Sequence, residues 1–374
     1  MQTKNKIILA LFSDVNFSPQ LLAILQNLFD RKAEVRIVLI GNGNSQILTQ
    51  MEIRGWNLNN IHSRGKIGSI INFILVSREI IRYRPHTLFA SGQFATVIGI
   101  LSAKLLNVPN RVFIRHHSSF HHKYKMKFGI IIDRISNRLA TRIVAVSKVV
   151  EKILVEDELA VQDKITIIYN GVDLVNFRNK ASISEAVSTQ DIKSPFLFRV
   201  GVLSRLTEWK GVEYTAEAFV RLQKDFPNSY LHIVGAFSDS YLDVKNILST
   251  VASHTYTLDR INSNIPHFLH GLDVFVHVPV GIDDEAFGIV YIEALSSGIP
   301  CIFTRSGVLN ELESPDSYAH IVAFRNSEEI YLNLKKMIEG VNAMKIQVPE
   351  SWLNQFSLDV MAKSYADLLL REDH

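Results

Sequence analysis

The residues best suited to chemistry form two pairs. Glu285 and Glu293 stand eight positions apart in DVFVHVPVGIDDEAFGIVYIEALSSGIPCI, Asp273 to Ile302; Arg205 and Lys210 stand five apart in GVLSRLTEWKG, Gly201 to Gly211. Carboxylates accept hydrogen bonds from sugar hydroxyls, whereas a planar guanidinium and a compact ammonium suit phosphate oxygens. In the later stretch, the run from Asp273 reads as a short strand and Cys301 to Thr304 as another. Between them a helix is expected over 288–297, with Ile289, Ile292 and Leu295 on one face, ended by Gly298 and Pro300. That order places the loop and the helix N-terminus at the carboxyl edge of a parallel sheet, where open α/β folds bind ligands. First-turn amides at Gly288, Ile289 and Val290 suit a phosphate. Two glutamates at this spacing, taken alone, are a weak signal and are usually explained as solvated side chains of an ordinary βαβ unit.

A third cluster is RHHSSFHH, which brings His116, His117, His121 and His122 together. Four histidines invite a zinc reading, but no carboxylate or cysteine lies among them, and no metal is expected. The plain alternative is a structural histidine satisfied by its neighbours.

The elements that must position these groups alternate regularly. Strands are expected at 7–12, 35–41, 87–91, 111–116, 142–147 and 164–170, with helices near 18–30, 67–83, 93–106 and 124–139. After a polar stretch the alternation restarts. Strands are expected near 196–201, 230–235, 254–258, 273–278, 300–304 and 318–323, and helices near 212–224, 241–252, 262–271, 288–297 and 327–340. Repeated βαβ units imply parallel sheets covered by helices. The domains are read as 1–170, a linker over 171–195, 196–355, and a last amphipathic segment within 356–374. With 374 residues each domain can bury a real core. No apolar run reaches the length of a membrane span, and the first residues read as a strand because no small-residue cleavage site follows them. The single cysteine, Cys301, falls in a buried strand and fits a reducing, cytoplasmic setting.

The segment E-A-F-G-I-V-Y-I-E-A-L-S-S-G-I-P resembles the E-x7-E motif of retaining GT-B glycosyltransferases, above all family 4. R-L-T-E-W-K-G is close to that family's R-L-x-x-x-K-G, and Y-N-G-V-D-L-V-N-F is similar to its P-N-G-V-D-x-x-x-F, with Tyr169 in place of proline. The resemblance implies two Rossmann-like domains facing across a cleft, with the last helix crossing back to the first. It also implies a metal-independent transferase with no cofactor, using a nucleotide sugar as substrate. Glu293 would then hold ribose hydroxyls and Glu285 the donor sugar. Arg205 and Lys210 would neutralise the leaving diphosphate, and His116, or His117 one residue on, would reach the sugar from the first domain. The implied route retains configuration, with the leaving phosphate taking the acceptor's proton. Two departures stand out. The loop Ser13 to Pro19 has no glycine where the family carries a glycine-rich turn, and H-I-V-G-A-F (232–237) lacks a second glycine.

The acceptor is expected to be a saccharide or lipid-linked glycan of a cell-surface polysaccharide, with no nucleic-acid partner. Rivals are a GT-B-like nucleotide-sugar epimerase and a catalytically silent partner subunit. Charge adds one more expectation. Residues 1–180 carry 25 Lys and Arg against 12 Asp and Glu, net +13, while the rest carry 15 against 25, net −10. The stretch HHKYKMKFGIIIDRISNRLATR, 121–142, sets Lys123, Lys125 and Lys127 beside an apolar run, which suits an anionic inner membrane surface. The alternative is a core helix whose Ile130 to Ile132 pack on the sheet.

Overall fold

A computed structural model describes every residue except 1–5, 14, 16–17, 42–45, 62–64, 120, 122–125, 180–197, 236, 261–263, 341–347 and 372–374, and the side chains of 65–67. The chain divides into two compact units, Met1–Gly171 with Gln355–His374, and Val172–Asn354.

The first unit holds seven parallel strands: β1 Ile7–Ser13, β2 Glu34–Ile40, β3 Leu58–Ile61, β4 Thr87–Ser91, β5 Asn110–Arg115, β6 Arg142–Ala145 and β7 Ile165–Ile167. Their order is β3-β2-β1-β4-β5-β6-β7, so the winding reverses between β1 and β4. Residues 8–13 of β1 are all buried. Continuous burial, rather than alternation, follows because helices cover both faces of a parallel sheet. The Pro19–Asp30 helix starts where Ser18 accepts the Leu21 N–H at 3.2 Å, with proline in the first turn. Against it packs the Leu358–Leu370 helix, whose Tyr365 is buried beside Phe89 at a ring distance of 5.9 Å.

The sequence reading lacked β3 and the helices Gln46–Ile53 and Lys148–Glu156. It also kept open that the apolar run of the Lys127–Leu139 helix packs on the sheet. Instead the helix buries Gly129, Asp133, Ser136 and Asn137, Ile130 is half-buried, and Ile131 and Ile132 are exposed. A Cβ on Gly129 would lie 2.7 Å from the His121 ring, so this polar face is the one that can approach closely.

The second unit has six parallel strands: β8 Phe198–Leu203, β9 Ser229–Val234, β10 Tyr256–Asp259, β11 Val274–His277, β12 Cys301–Phe303 and β13 His320–Ile321. Their order is β10-β9-β8-β11-β12-β13, with the reversal between β8 and β11. Val200, Val202, Val274 and Val276 meet Phe219 and Leu222 of the Val212–Asp225 helix in one core. Each such side chain contributes about 1.5–3 kcal/mol through burial. Within the expected linker, Asp173 accepts the Asn176 N–H at 3.2 Å and caps the short Leu174–Arg178 helix, which packs on the Ile289–Ser297 helix. The rest of that linker lies outside the described residues.

Candidate active site

The reversal in the second unit lies between β8 and β11, and the two sequence motifs leave its carboxyl ends. After β8 the chain runs through Arg205 into a short 3-10 turn, Glu208–Lys210. After β11 it enters the loop that carries Glu285. The Val280 N–H donates to the Trp209 carbonyl at 3.1 Å, tying loop to turn. The Lys210 ammonium therefore reaches the Glu285 carboxylate, 75 positions away in sequence, in a buried ion pair. The same carboxylate oxygen lies 2.8 Å from His277 Nε2, at the end of β11.

The loop is fixed from the other side by the segment following β12. The Glu285 N–H donates to Ser306 Oγ at 3.1 Å, Ser306 Oγ donates to the Gly281 carbonyl at 2.7 Å, and the Val308 N–H donates to the Phe287 carbonyl at 2.9 Å. Gly307, at φ +55°, has no room for a side chain, since a Cβ there would sit 2.7 Å from Glu285 Cβ. Gly288, at φ +82°, opens the Ile289–Ser297 helix; its own Cβ would run into the buried Tyr291 ring. No side-chain cap is made at that N-terminus, so the first-turn amides are left to backbone or ligand acceptors.

The two glutamates have opposite environments. Burial pushes the Glu285 carboxyl up, but the Lys210 charge and the His277 hydrogen bond outweigh it and hold the pKa at about 2. Burial lowers the His277 imidazole against the pull of Glu285. Glu293, half-buried on the second turn of the helix, has no side-chain partner among the described residues, and burial raises its pKa to about 7. Arg205 is exposed, and its guanidinium likewise has no partner among the described residues. The expected clamp is thus unequal: Arg205 is free, whereas Lys210 already pairs with Glu285 and keeps two N–H donors for other acceptors.

In the first unit, His116 follows β5 with Nε2 2.9 Å from Ser91 Oγ at the end of β4. The surrounding protein lowers its pKa, although solvent reaches the exposed side of the residue and limits the desolvation. A small cavity of about 60 Å³ opens beside it, lined in part by Gly92, Gln93, Thr96 and His117. His117 has its pKa lowered to about 3, chiefly by burial and then by the Arg115 charge. Behind them lies a buried ionic network. Arg115 pairs with Asp133 at 3.0 Å and with Glu158, Asn137 donates to Glu158 at 3.0 Å, and His121 Nδ1 meets Asp133 at 2.5 Å.

Here the sequence argument against a metal loses its ground. A carboxylate does join the histidines, because the Lys127–Leu139 helix delivers Asp133 to within 4.8 Å of the ring nitrogens of His117 and His121. Both Asp133 oxygens are nevertheless bonded by the Arg115 guanidinium, so a cation would have to displace a buried positive charge. His122, Lys123, Lys125 and part of the loop after β1 lie outside the described residues.

Two family models match the chain: Glycosyltransferase Family 4 over residues 20–176 and Glycosyl transferases group 1 over residues 193–347. The chain belongs to glycosyltransferase family 4. Among relatives of this family 4 glycosyltransferase is the UDP-Gal:alpha-D-GlcNAc-diphosphoundecaprenol alpha-1,3-galactosyltransferase of Escherichia coli, 25% identical across 67% of this chain and 70% of that protein. Another is the alpha-monoglucosyldiacylglycerol synthase of Acholeplasma laidlawii, 26% identical across 68% and 69%. The fold is GT-B. The structure of Anabaena Alr3699/HepE in complex with UDP matches with a TM-score of 0.78 at 18% identity, covering 97% of this chain and 99% of that one.

Sequence reasoning on the glycosyltransferase missed His277, Ser306 and Asp133. A signal for His277 was present: it is the only polar residue of the VFVH strand and sits at the strand's carboxyl end, where ligands meet a parallel sheet.

Proposed function

We propose that this glycosyltransferase moves a sugar from a UDP- or GDP-type nucleotide sugar, with retained anomeric configuration, to a saccharide or lipid-linked glycan acceptor at the anionic inner face of a membrane. The observation that carries the reading is the grouping at the β8–β11 reversal. There Lys210 and Glu285 are locked together beside a free Arg205, an uncapped helix N-terminus and an unpartnered Glu293. Such a grouping offers positive charge for a diphosphate, two carboxylates for hydroxyls, and a rigid floor that holds them before the donor arrives. UDP is the favoured carrier, because a UDP-sugar is named for the E. coli relative and UDP is bound in the Anabaena structure.

In the proposed reaction the anomeric carbon–oxygen bond to the diphosphate breaks and the acceptor oxygen bonds to that carbon from the same face. The acceptor proton passes to the departing phosphate oxygen. Arg205 and the two remaining Lys210 donors take up the charge that develops on the diphosphate, without a divalent ion. Glu285 accepts from sugar hydroxyls and Glu293 from the ribose, while neutral His116 donates to the sugar.

The lipid-linked acceptor named for the E. coli relative and the glycolipid named as the product of the A. laidlawii one support a lipid-linked or glycolipid acceptor here. A thermal-shift panel of UDP-, GDP- and ADP-sugars tests the donor, since a ligand that binds the native state raises its stability. A shift with UDP or GDP sugars but not ADP sugars is expected. The anomeric coupling constant of the product tests retention, and turnover that collapses in EDTA would refute the metal-free clamp.

A further inference from the structure

The Gly65–Tyr83, Gln93–Leu105 and Lys127–Leu139 helices lie side by side on one side of the first unit's sheet, the first packed on the second and the second on the third. A helix in such a layer normally turns its apolar stripe inward and its charges outward. All three carry apolar residues on the outside as well. On the first, Ile70, Ile71, Ile74 and Ile81 are exposed at a spacing that repeats along one face, a span of about 16 Å at helical rise. On the second, Leu101 and Leu105 are exposed one turn apart. The third is the extreme case, with Phe128 83%, Ile131 52% and Ile135 51% exposed, while Asp133, Ser136 and Asn137 are the residues it buries.

The charges on this layer have one sign. Arg78, Arg82, Lys104, Lys127, Arg134 and Arg138 are exposed; the acids of the three helices, Glu79 and Asp133, are both buried. Asp133 is held inside by Arg115 and His121, and this pairing turns the third helix so that its isoleucines face out. A contiguous apolar surface ringed by cations, with no exposed anion among the described side chains, fits an anionic lipid headgroup layer above an acyl region. A second copy of the chain fits it poorly, because two such faces would bring like charges together.

We propose that the outer face of these three helices is the seat of the protein on an anionic bilayer, with the isoleucines, leucines and Phe128 entering the headgroup–acyl boundary and the basic residues meeting lipid phosphates. This adds to the functional reading the surface that would bring the enzyme to a membrane-held acceptor. It stands or falls without reference to donor or acceptor chemistry.

Flotation of the full chain with phosphatidylglycerol–phosphatidylcholine vesicles, against phosphatidylcholine alone, tests it with no nucleotide sugar present. Binding to the anionic vesicles only is expected, weakening between low and physiological salt as the Debye length falls below about 10 Å. Lys104→Gln and Lys127→Gln should each lower partitioning about fivefold at low salt. Ile74→Glu and Ile131→Glu, at solvent-exposed positions, should reduce it at least as much, with far-UV circular dichroism and the melting temperature unchanged. Ile74→Trp and Ile131→Trp should both be quenched by brominated lipid. Equal binding to neutral vesicles, no binding at low salt, a tryptophan at either position left unquenched, or a dimer that Ile131→Glu dissociates would each overturn the proposal.

Discussion

The two sheet edges handle charge in opposite ways. In the first unit, the ions near β5 are closed in on one another: Arg115, Asp133 and Glu158 are all buried and mutually paired, and what reaches the edge is the neutral pair of His116 and Ser91. In the second unit, one ion pair, Lys210 with Glu285, sits at the edge itself, and two further charged side chains, Arg205 and Glu293, stand there without partners among the described residues. Buried pairs hold structure at the cost of desolvation, whereas unpaired groups at a sheet edge remain available to a ligand. The comparison therefore separates a scaffold that orients an imidazole from a site that waits for charge.

The largest expected effect breaks the second edge. Lys210→Met leaves Glu285 and His277 without their cation, and should cost roughly 3–5 kcal/mol of stability in urea unfolding together with most of the activity. Unchanged stability would show that the pair is not formed. Arg205→Ala is the sharper contrast. It removes a free group, so turnover should fall by about 2–4 kcal/mol of transition-state stabilisation while the melting curve stays in place. A matching loss of stability would mean that Arg205 is structural.

Glu293 supplies the pH test. A carboxyl raised to about 7 in the folded chain contributes stability that is full below its unfolded value near 4.5 and is lost as pH rises through 7. Glu293→Gln should therefore match the wild type at pH 4 and be about 1–2 kcal/mol more stable at pH 8, a figure discounted for the side chain's solvent contact. With Glu293 holding the ribose as proposed, through its ionised carboxylate, calorimetry should find UDP affinity falling as pH drops from 8 to 6 in the wild type and flat in the variant. Glu285→Gln should spare free UDP and lose the sugar's contribution; the reverse pattern would invert the donor. The smallest effect belongs to the first edge. His116→Ala should remove the neutral hydrogen bond proposed to the sugar, about 0.5–1.5 kcal/mol in turnover, without touching the buried network.

How much of this the sequence carried depends on the range of the interaction. Most strands of both sheets were legible because runs such as IILALF and VRIVLI are continuous and bounded by polar turns. β3 was not, because Leu58 and Ile61 are the only apolar residues of a four-residue edge strand. The Lys148–Glu156 helix was legible in principle from Ser147, whose side chain accepts the Val150 N–H at 3.1 Å. Glu285 and Glu293 were identified by local spacing. That Lys210 would engage Glu285, or that Asp133 would reach His121, depends on how the sheets wind, which no local pattern encodes. The charge state of Glu285 followed from its distant neighbour and that of Glu293 from burial under the fold, while the outward turn of Ile131 followed from Asp133.

The Leu358–Leu370 helix has a consequence for how the molecule comes into being. Its Tyr365, Met361 and Leu369 complete the interior of the first unit, with Met361 Sδ accepting the Gly171 N–H at 3.1 Å and the Leu369 carbonyl meeting Thr87 Oγ1 at 3.4 Å. The second unit, by contrast, is a single uninterrupted stretch of chain. During synthesis, then, the part made first must wait on the ribosome with an open seam until residues 172–354 have emerged and the closing helix follows. The domain translated second is the one able to finish folding first, which reverses the usual vectorial order.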